Sequence, residues 1–184
     1  MPETQVSLSD LLRLLKERQT YLYARNLVLV ALPIETAHRD AAHIAQMLHA
    51  DYLDFDQELL GELDQDDWEE HVVLDKKGTL MIGKSLAERW LIQVGARLNR
   101  QHPLVIGNAN LAVRYQIDAA RALYDATQNG LCILAFAGRL QGQVLLLHGS
   151  LPQTGAGSQV YELITPPTPP DPLDISRAIQ DNLF

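Results

Sequence analysis

An α/β fold, with a mostly parallel sheet flanked by helices, is what this sequence predicts. Two kinds of segment alternate along it. Short runs rich in Val, Leu and Ile, such as NLVLVALP and LCILAFAG, read as strands buried on both faces. Longer stretches between them carry apolar residues every three or four positions, the spacing of amphipathic helices. With 184 residues, 47% of them hydrophobic, the chain can bury the core of one domain.

The elements follow in order. SLSDLLRLLKERQTYLYAR, 7–25, is a helix that Ser7 or Ser9 can cap, with Leu8, Leu11, Leu12 and Leu15 on one face. NLVLVALP, 26–33, is a strand stopped by Pro33. ETAHRDAAHIAQMLHA has helical spacing through Ala41, Ile44, Ala45 and Leu48, and DYLDF is a short second strand, so the first third reads as a βαβ unit. DQELLGELDQDDWEEH is acidic, a helix or an exposed loop. SLAERWLIQVGARLNRQ, 85–101, is an amphipathic helix with Leu86, Trp90, Val94 and Leu98 on its buried face. PLVIGNANL is a strand and the loop at its end. YQIDAARALYDATQN is a helix that Gly130 stops, LCILAFAG a strand, and QVLLLHGS a further strand suited to the sheet edge. The domain spans 1–164. TPPTPPDP then forms a stiff polyproline-type linker, so 165–184 reads as a linker and docking peptide.

Charge and composition exclude several classes. A net charge of −8 argues against a nucleic-acid coat, which needs a basic face to release counterions. Nucleic acid is therefore expected only as an indirect partner. The one cysteine, Cys132, lies in an apolar run and reads as a small buried residue, which suits a reducing cytoplasm. The N-terminus lacks the basic and apolar pattern of a signal peptide, and no apolar run is long enough to span a bilayer. Histidines at 38, 43, 49, 71, 102 and 148 form no ligand motif, and no metal site is expected. Ser150 lacks a G-x-S-x-G elbow. Asp54 and Asp56 would share one side of a strand, at a position where ligands can sit; the other reading is that such acids are solvated or cap the next helix. Arg97, Arg100, Arg114, Arg121 and Arg139 are candidates for a cluster at the end of the sheet.

One string demands a test. GTLMIGKS, 78–85, satisfies G-x-x-x-x-G-K-[ST], so Gly78, Gly83, Lys84 and Ser85 are candidate ligands of ATP or GTP with Mg²⁺. Its surroundings disagree. Asp75, Lys76 and Lys77 separate the glycine from the preceding apolar run, and Leu80, Met81 and Ile82 are bulky for a loop that cradles phosphates. The Mg²⁺ shell also needs an acid at the end of a neighbouring strand, where PLVIGNANL offers Gly107 and Asn108.

A second register fits the order of elements. LVLVALPIETAHRDAAHIAQML resembles the first strand, loop and helix of a P-loop domain with its chemistry erased. Ala31 stands at the first glycine, Thr36 at the second, Ala37 at the lysine and His38 at the Ser/Thr. HADYLDFDQELLGEL, PLVIGNANL and LCILAFAGRLQGQVLLLHG then resemble the later strands of BrxF, the small P-loop protein of BREX bacteriophage-exclusion loci. The likeness covers about residues 8–164 in layout and apolar pattern, and no nucleotide-contacting residue carries over. It implies a P-loop NTPase-like three-layer sandwich and a non-catalytic assembly or adaptor subunit, without cofactor, of a phage-defence or DNA-processing complex. The expected partners are that complex's larger subunits.

The last five residues, QDNLF, resemble the motif by which bacterial polymerases and repair proteins bind the sliding clamp. The resemblance implies that Gln180 bonds at the pocket rim while Leu183 and Phe184 fill it. The other reading is a terminal helix capped by Asp174, with Ile175, Ile179 and Leu183 packed back on the domain.

Overall fold

The computed structural model describes residues 5–21, 25–65, 76–99, 101–154 and 159–164. Eight strands are present among them: β1 (Gln5–Val6), β2 (Leu27–Leu32), β3 (Asp51–Asp54), β4 (Leu104–Gly107), β5 (Cys132–Gln141), β6 (Val144–Leu147), β7 (Leu151–Gln153) and β8 (Gln159–Leu163). The helices are α1 (Leu8–Thr20), α2 (Ala37–Leu48), α3 (Phe55–Gln65), α4 (Lys76–Arg97), α5 (Asn110–Tyr115) and α6 (Ala119–Leu123), which runs into a 3₁₀ turn over Tyr124–Gln128. The sheet runs β1-β8-β2-β5-β4-β3 and every pairing along that path is parallel. Past its parallel part, β5 continues into an antiparallel meander with β6 and β7.

The alternation of side chains divides the core into two halves. Val28, Val30, Leu32, Val105, Ile133 and Ala135 face α1 and α2. Leu27, Leu29, Ile106, Cys132, Leu134 and Phe136 face α3 to α6. A strand buried on both faces needs no polar alternation, which is why LVLVAL reads as it does. Ser7 caps α1, its hydroxyl accepting the Asp10 N–H at 3.2 Å. On the other face Phe55 meets Trp90 edge to face at 5.4 Å, tying α3 to α4.

Several expectations change. β2 and β3 are not neighbours: β5 and β4 lie between them, so the first third is a split crossover. α4 begins at Lys76, nine residues ahead of the expected start at Ser85. The helix expected to run to Gly130 breaks after α6 into the 3₁₀ turn. Gly130 answers a close approach, because a Cβ there would lie 2.3 Å from the Asn99 carbonyl oxygen. β6 pairs with the extension of β5 and does not border the parallel sheet. β1, β7 and β8 were not foreseen. Yet β8 sits inside the sheet between β1 and β2, with Val160 and Leu163 buried. The linker and docking peptide lie outside the described residues.

Candidate functional site at the carboxyl edge of the sheet

All four strands β2, β5, β4 and β3 end on one edge, and α/β sheets bind ligands there. A cleft of about 110 Å³ opens on it, lined by Ile34, Ala37, His38, Asn108, Asn110 and His148 among others. Its first wall is the β2–α2 connection, the register in which the resemblance places an erased P-loop. The chain turns tightly here, with the Thr36 N–H donating to the Pro33 carbonyl at 3.2 Å. Pro33 has no N–H to offer. The Thr36 hydroxyl donates to Asp40 at 2.6 Å and does not cap the helix. Ala37 contributes no charge, and Glu35 and Asp40 add negative ones.

The second wall is a polar network at the ends of β3 and β4. Asn108 holds a left-handed conformation at φ 53°, which Asn tolerates better than most residues. Its amide donates to both Asp54 carboxylate oxygens at 3.1 and 3.0 Å. Asp54 also accepts the Gln57 N–H at 3.0 Å, which satisfies one orphan donor of α3. Asn110 donates to Asn108 Oδ1 at 2.7 Å and to Asp56 Oδ2 at 2.9 Å. Asp56 accepts the N–H groups of Asn110 and Leu111 at 3.1 and 2.8 Å and so caps α5. His148 Nε2 lies 2.9 Å from Asn110 Oδ1, which brings the end of β6 into the same network. His38 Nδ1 stands 3.8 Å from Asp54 on an exposed side chain; solvent leaves such a pair little net energy.

Asp54 and Asp56 are both buried. Burial raises the Asp56 pKa above its ordinary value; its three N–H partners oppose the shift and the nearby Asp54 charge adds to it. Burial, and then Asp54, also raises Tyr52. The Tyr52 hydroxyl is buried without a hydrogen-bond partner among the described residues. The two acids do not share a strand face: Asp54 ends β3, whereas Asp56 lies in the first turn of α3. Asp54 caps the next helix, the structural role weighed from the sequence, whereas Asp56 caps the distant α5.

GTLMIGKS lies elsewhere, inside α4. A loop that cradles phosphates presents free N–H groups, whereas past the first turn of α4, from Leu80 onward, each N–H is spent on the carbonyl four residues back. The alternative reading needs a loop at Gly78, Gly83, Lys84 and Ser85, and the bulky residues between them suggested a short strand or buried turn; the segment is helix instead. Gly83, Leu86, Ala87, Trp90, Leu91 and Val94 form one buried stripe, and Lys84 and Ser85 are exposed. Gly83 serves packing: a Cβ there would lie 2.3 Å from the Tyr115 ring.

The remaining candidates scatter. Cys132 is fully buried and its thiol is pushed up to about 12, far from the thiolate a nucleophile needs. Ser150 is exposed in the turn after β6. Arg97 lies at the amino end of the sheet beside Asp51, while Arg139 lies in the meander beyond the carboxyl end of β5, so the arginines do not gather at one edge. Arg114 stacks over Tyr115 at 5.7 Å. Arg100, His71, Gln180, Leu183 and Phe184 fall outside the described residues. Among the described residues, no three His, Cys, Asp or Glu side chains are placed to hold a metal ion. No helix among them is long and apolar enough to cross a membrane. Sequence reasoning did not foresee the network of Asn108, Asn110 and His148. Two asparagines directly after an apolar strand were its only local signal. Comparison with family models, curated proteins and solved structures yields no match.

Proposed function

We propose that this chain is a P-loop-like domain without a working nucleotide site, acting as an assembly or adaptor subunit. The observation that carries the reading is the tight turn from Pro33 to Thr36. It occupies the loop between the first buried strand and its helix, but Pro33 lacks an N–H and the Thr36 N–H is already spent. A phosphate would meet Ala37 in place of a lysine, beside Glu35. Across the cleft, Asn108 stands at the strand end where a magnesium-holding acid belongs, and its amide is committed to Asp54. The cleft, about 110 Å³, is also small against the roughly 300–1,000 Å³ of ordinary ligand pockets. A site filled by its own hydrogen bonds holds strands together and leaves binding to other surfaces.

The complex in which it assembles is a phage-defence or DNA-processing one, as the BrxF resemblance implies, with the sliding clamp as a partner of Gln180, Leu183 and Phe184. Calorimetric titration of Mg²⁺-ATP and Mg²⁺-GTP into the full chain tests the nucleotide half; no saturable heat is expected. Saturable binding that Lys84→Ala abolishes would overturn it and give the role to 78–85. Deleting 180–184 should abolish co-elution with the clamp, and unchanged co-elution would remove that partner.

A further inference from the structure

Away from the carboxyl edge, the outer flank of the sheet carries a second cleft. It measures about 320 Å³, and its lining includes Asp51, Tyr52, Leu53, Arg97, Leu98 and His102. Three consecutive residues of β3 border it. Successive side chains of a strand point to opposite faces, so a cleft bordered by all three runs along the strand's edge. β3 is the last strand of the sheet, and among the described residues its only strand partner is β4. The Asp51 N–H donates to Pro103 on the β4 side at 2.9 Å. Alternate residues of a strand turn their backbone groups to opposite sides, so the N–H and C=O of Tyr52 face outward, away from β4.

The chemistry around this edge is uneven. Leu98, just past α4, and Leu104 of β4 supply a buried apolar floor, with Leu53 half-buried beside them. Arg97 ends α4 with its side chain exposed, and no carboxylate pairs with it among the described residues. The backbone at His102, which shares this lining, is held by an Asn99 side chain that accepts the backbone N–H groups of Gln101 and His102 at 3.0 Å each. Arg97 therefore stands on this lining, which Asp51 shares, as a cation without a paired carboxylate on a chain whose net charge is −8. A carboxylate brought by a partner would give it one.

We infer that the β3 edge is a docking site for an extended segment of a partner protein, one carrying a bulky apolar residue and an acidic residue close by. The segment adds a strand beside β3, bonding to the Tyr52 backbone. Its apolar side chain enters the cleft over Leu98 and Leu104, and its carboxylate meets Arg97. Backbone pairing supplies affinity in such strand additions, and pockets for alternate side chains supply specificity. The inference deepens the assembly reading, and rests on it, by naming the surface and the kind of segment that it takes.

The test is selection from a phage-displayed random octapeptide library on the immobilised full chain, followed by titration of the selected peptides into ¹⁵N-labelled protein. The selected peptides should share an apolar residue with Asp or Glu within two positions. They should shift the amide resonances of Tyr52, Leu53 and Arg97. Arg97→Glu should weaken them at least tenfold, and Arg97→Gln less. Both substitutions are at an exposed helix end, and an unchanged melting temperature would show that the fold is kept. No enriched consensus, or a consensus that binds Arg97→Glu as well as it binds wild type, would overturn the β3 edge. Neither result touches the nucleotide-blind reading, which stands or falls on the calorimetry alone.

Discussion

Two segments of this chain invite comparison with a phosphate-binding loop, and they part company in opposite ways. GTLMIGKS, 78–85, has the letters of the motif and the wrong backbone: it is helix, inside α4. ALPIETAH, 31–38, has none of the chemistry but occupies the strand–turn–helix position, between β2 and α2. A motif is a statement about backbone geometry abbreviated as letters. Its glycines matter only where the chain must approach a phosphate. In α4 the second glycine approaches the Tyr115 ring instead.

The comparison can be broken most severely at the β3–β4 network. Asp54→Ala should destabilise the protein by about 3 kcal/mol, because it strands the Asn108 amide and the Gln57 N–H without their buried acceptor. Asp54→Asn keeps the shape and should cost less. Denaturant unfolding reads both; a loss below the uncertainty of the fit would mean that the network does not lock the strand ends. Next in size is Gly83→Val. Forcing a side chain into the buried Tyr115 ring should cost about 2 kcal/mol, or roughly 4–8 °C in melting temperature for a chain of this length. A phosphate-binding glycine would instead tolerate it in stability and lose a ligand.

A smaller effect follows acidity. The folded-state pKa of Asp56 is raised, so folding disfavours its charged form. Its contribution to stability should therefore improve as pH falls through that raised pKa, and level off below the unfolded value of about 3.9. Carboxyl ¹³C NMR should place its midpoint above 3.8; a lower midpoint would mean that the N–H groups of Asn110 and Leu111 outweigh burial. The smallest effect belongs to the residue that the motif makes central. Lys84 is exposed, so Lys84→Ala should change stability by less than about 0.5 kcal/mol.

Much of this was legible in the sequence, and the reason is local. Leu27 to Leu32 read as a doubly buried strand because no polar residue interrupts it, and all six residues are buried. The spacing of Leu86, Trp90, Val94 and Leu98 gave α4 its face. The start of α4 was misread because Lys76 and Lys77 sit poorly at a helix N-terminus, whose partial charge is positive. β8 escaped notice because its five residues carry only Val160 and Leu163 as buried anchors.

By itself, then, the sequence determined the helices α1 and α2, the strands β2 to β4, the parallel part of β5 and the buried face of α4, since hydrophobic period and turn chemistry act over a few residues. It also determined that the 31–38 register lacks the lysine of a phosphate-binding loop and that Cys132 lies in an apolar run. Only the tertiary structure decided that β5 and β4 separate β2 from β3, and that Asn108 reaches Asp54 across 54 residues of chain. Only it decided that Gly83 faces an aromatic ring and that Arg97 borders an open strand edge. Those contacts depend on strand order, and strand order is a choice among distant pairings whose energies no local window of sequence contains.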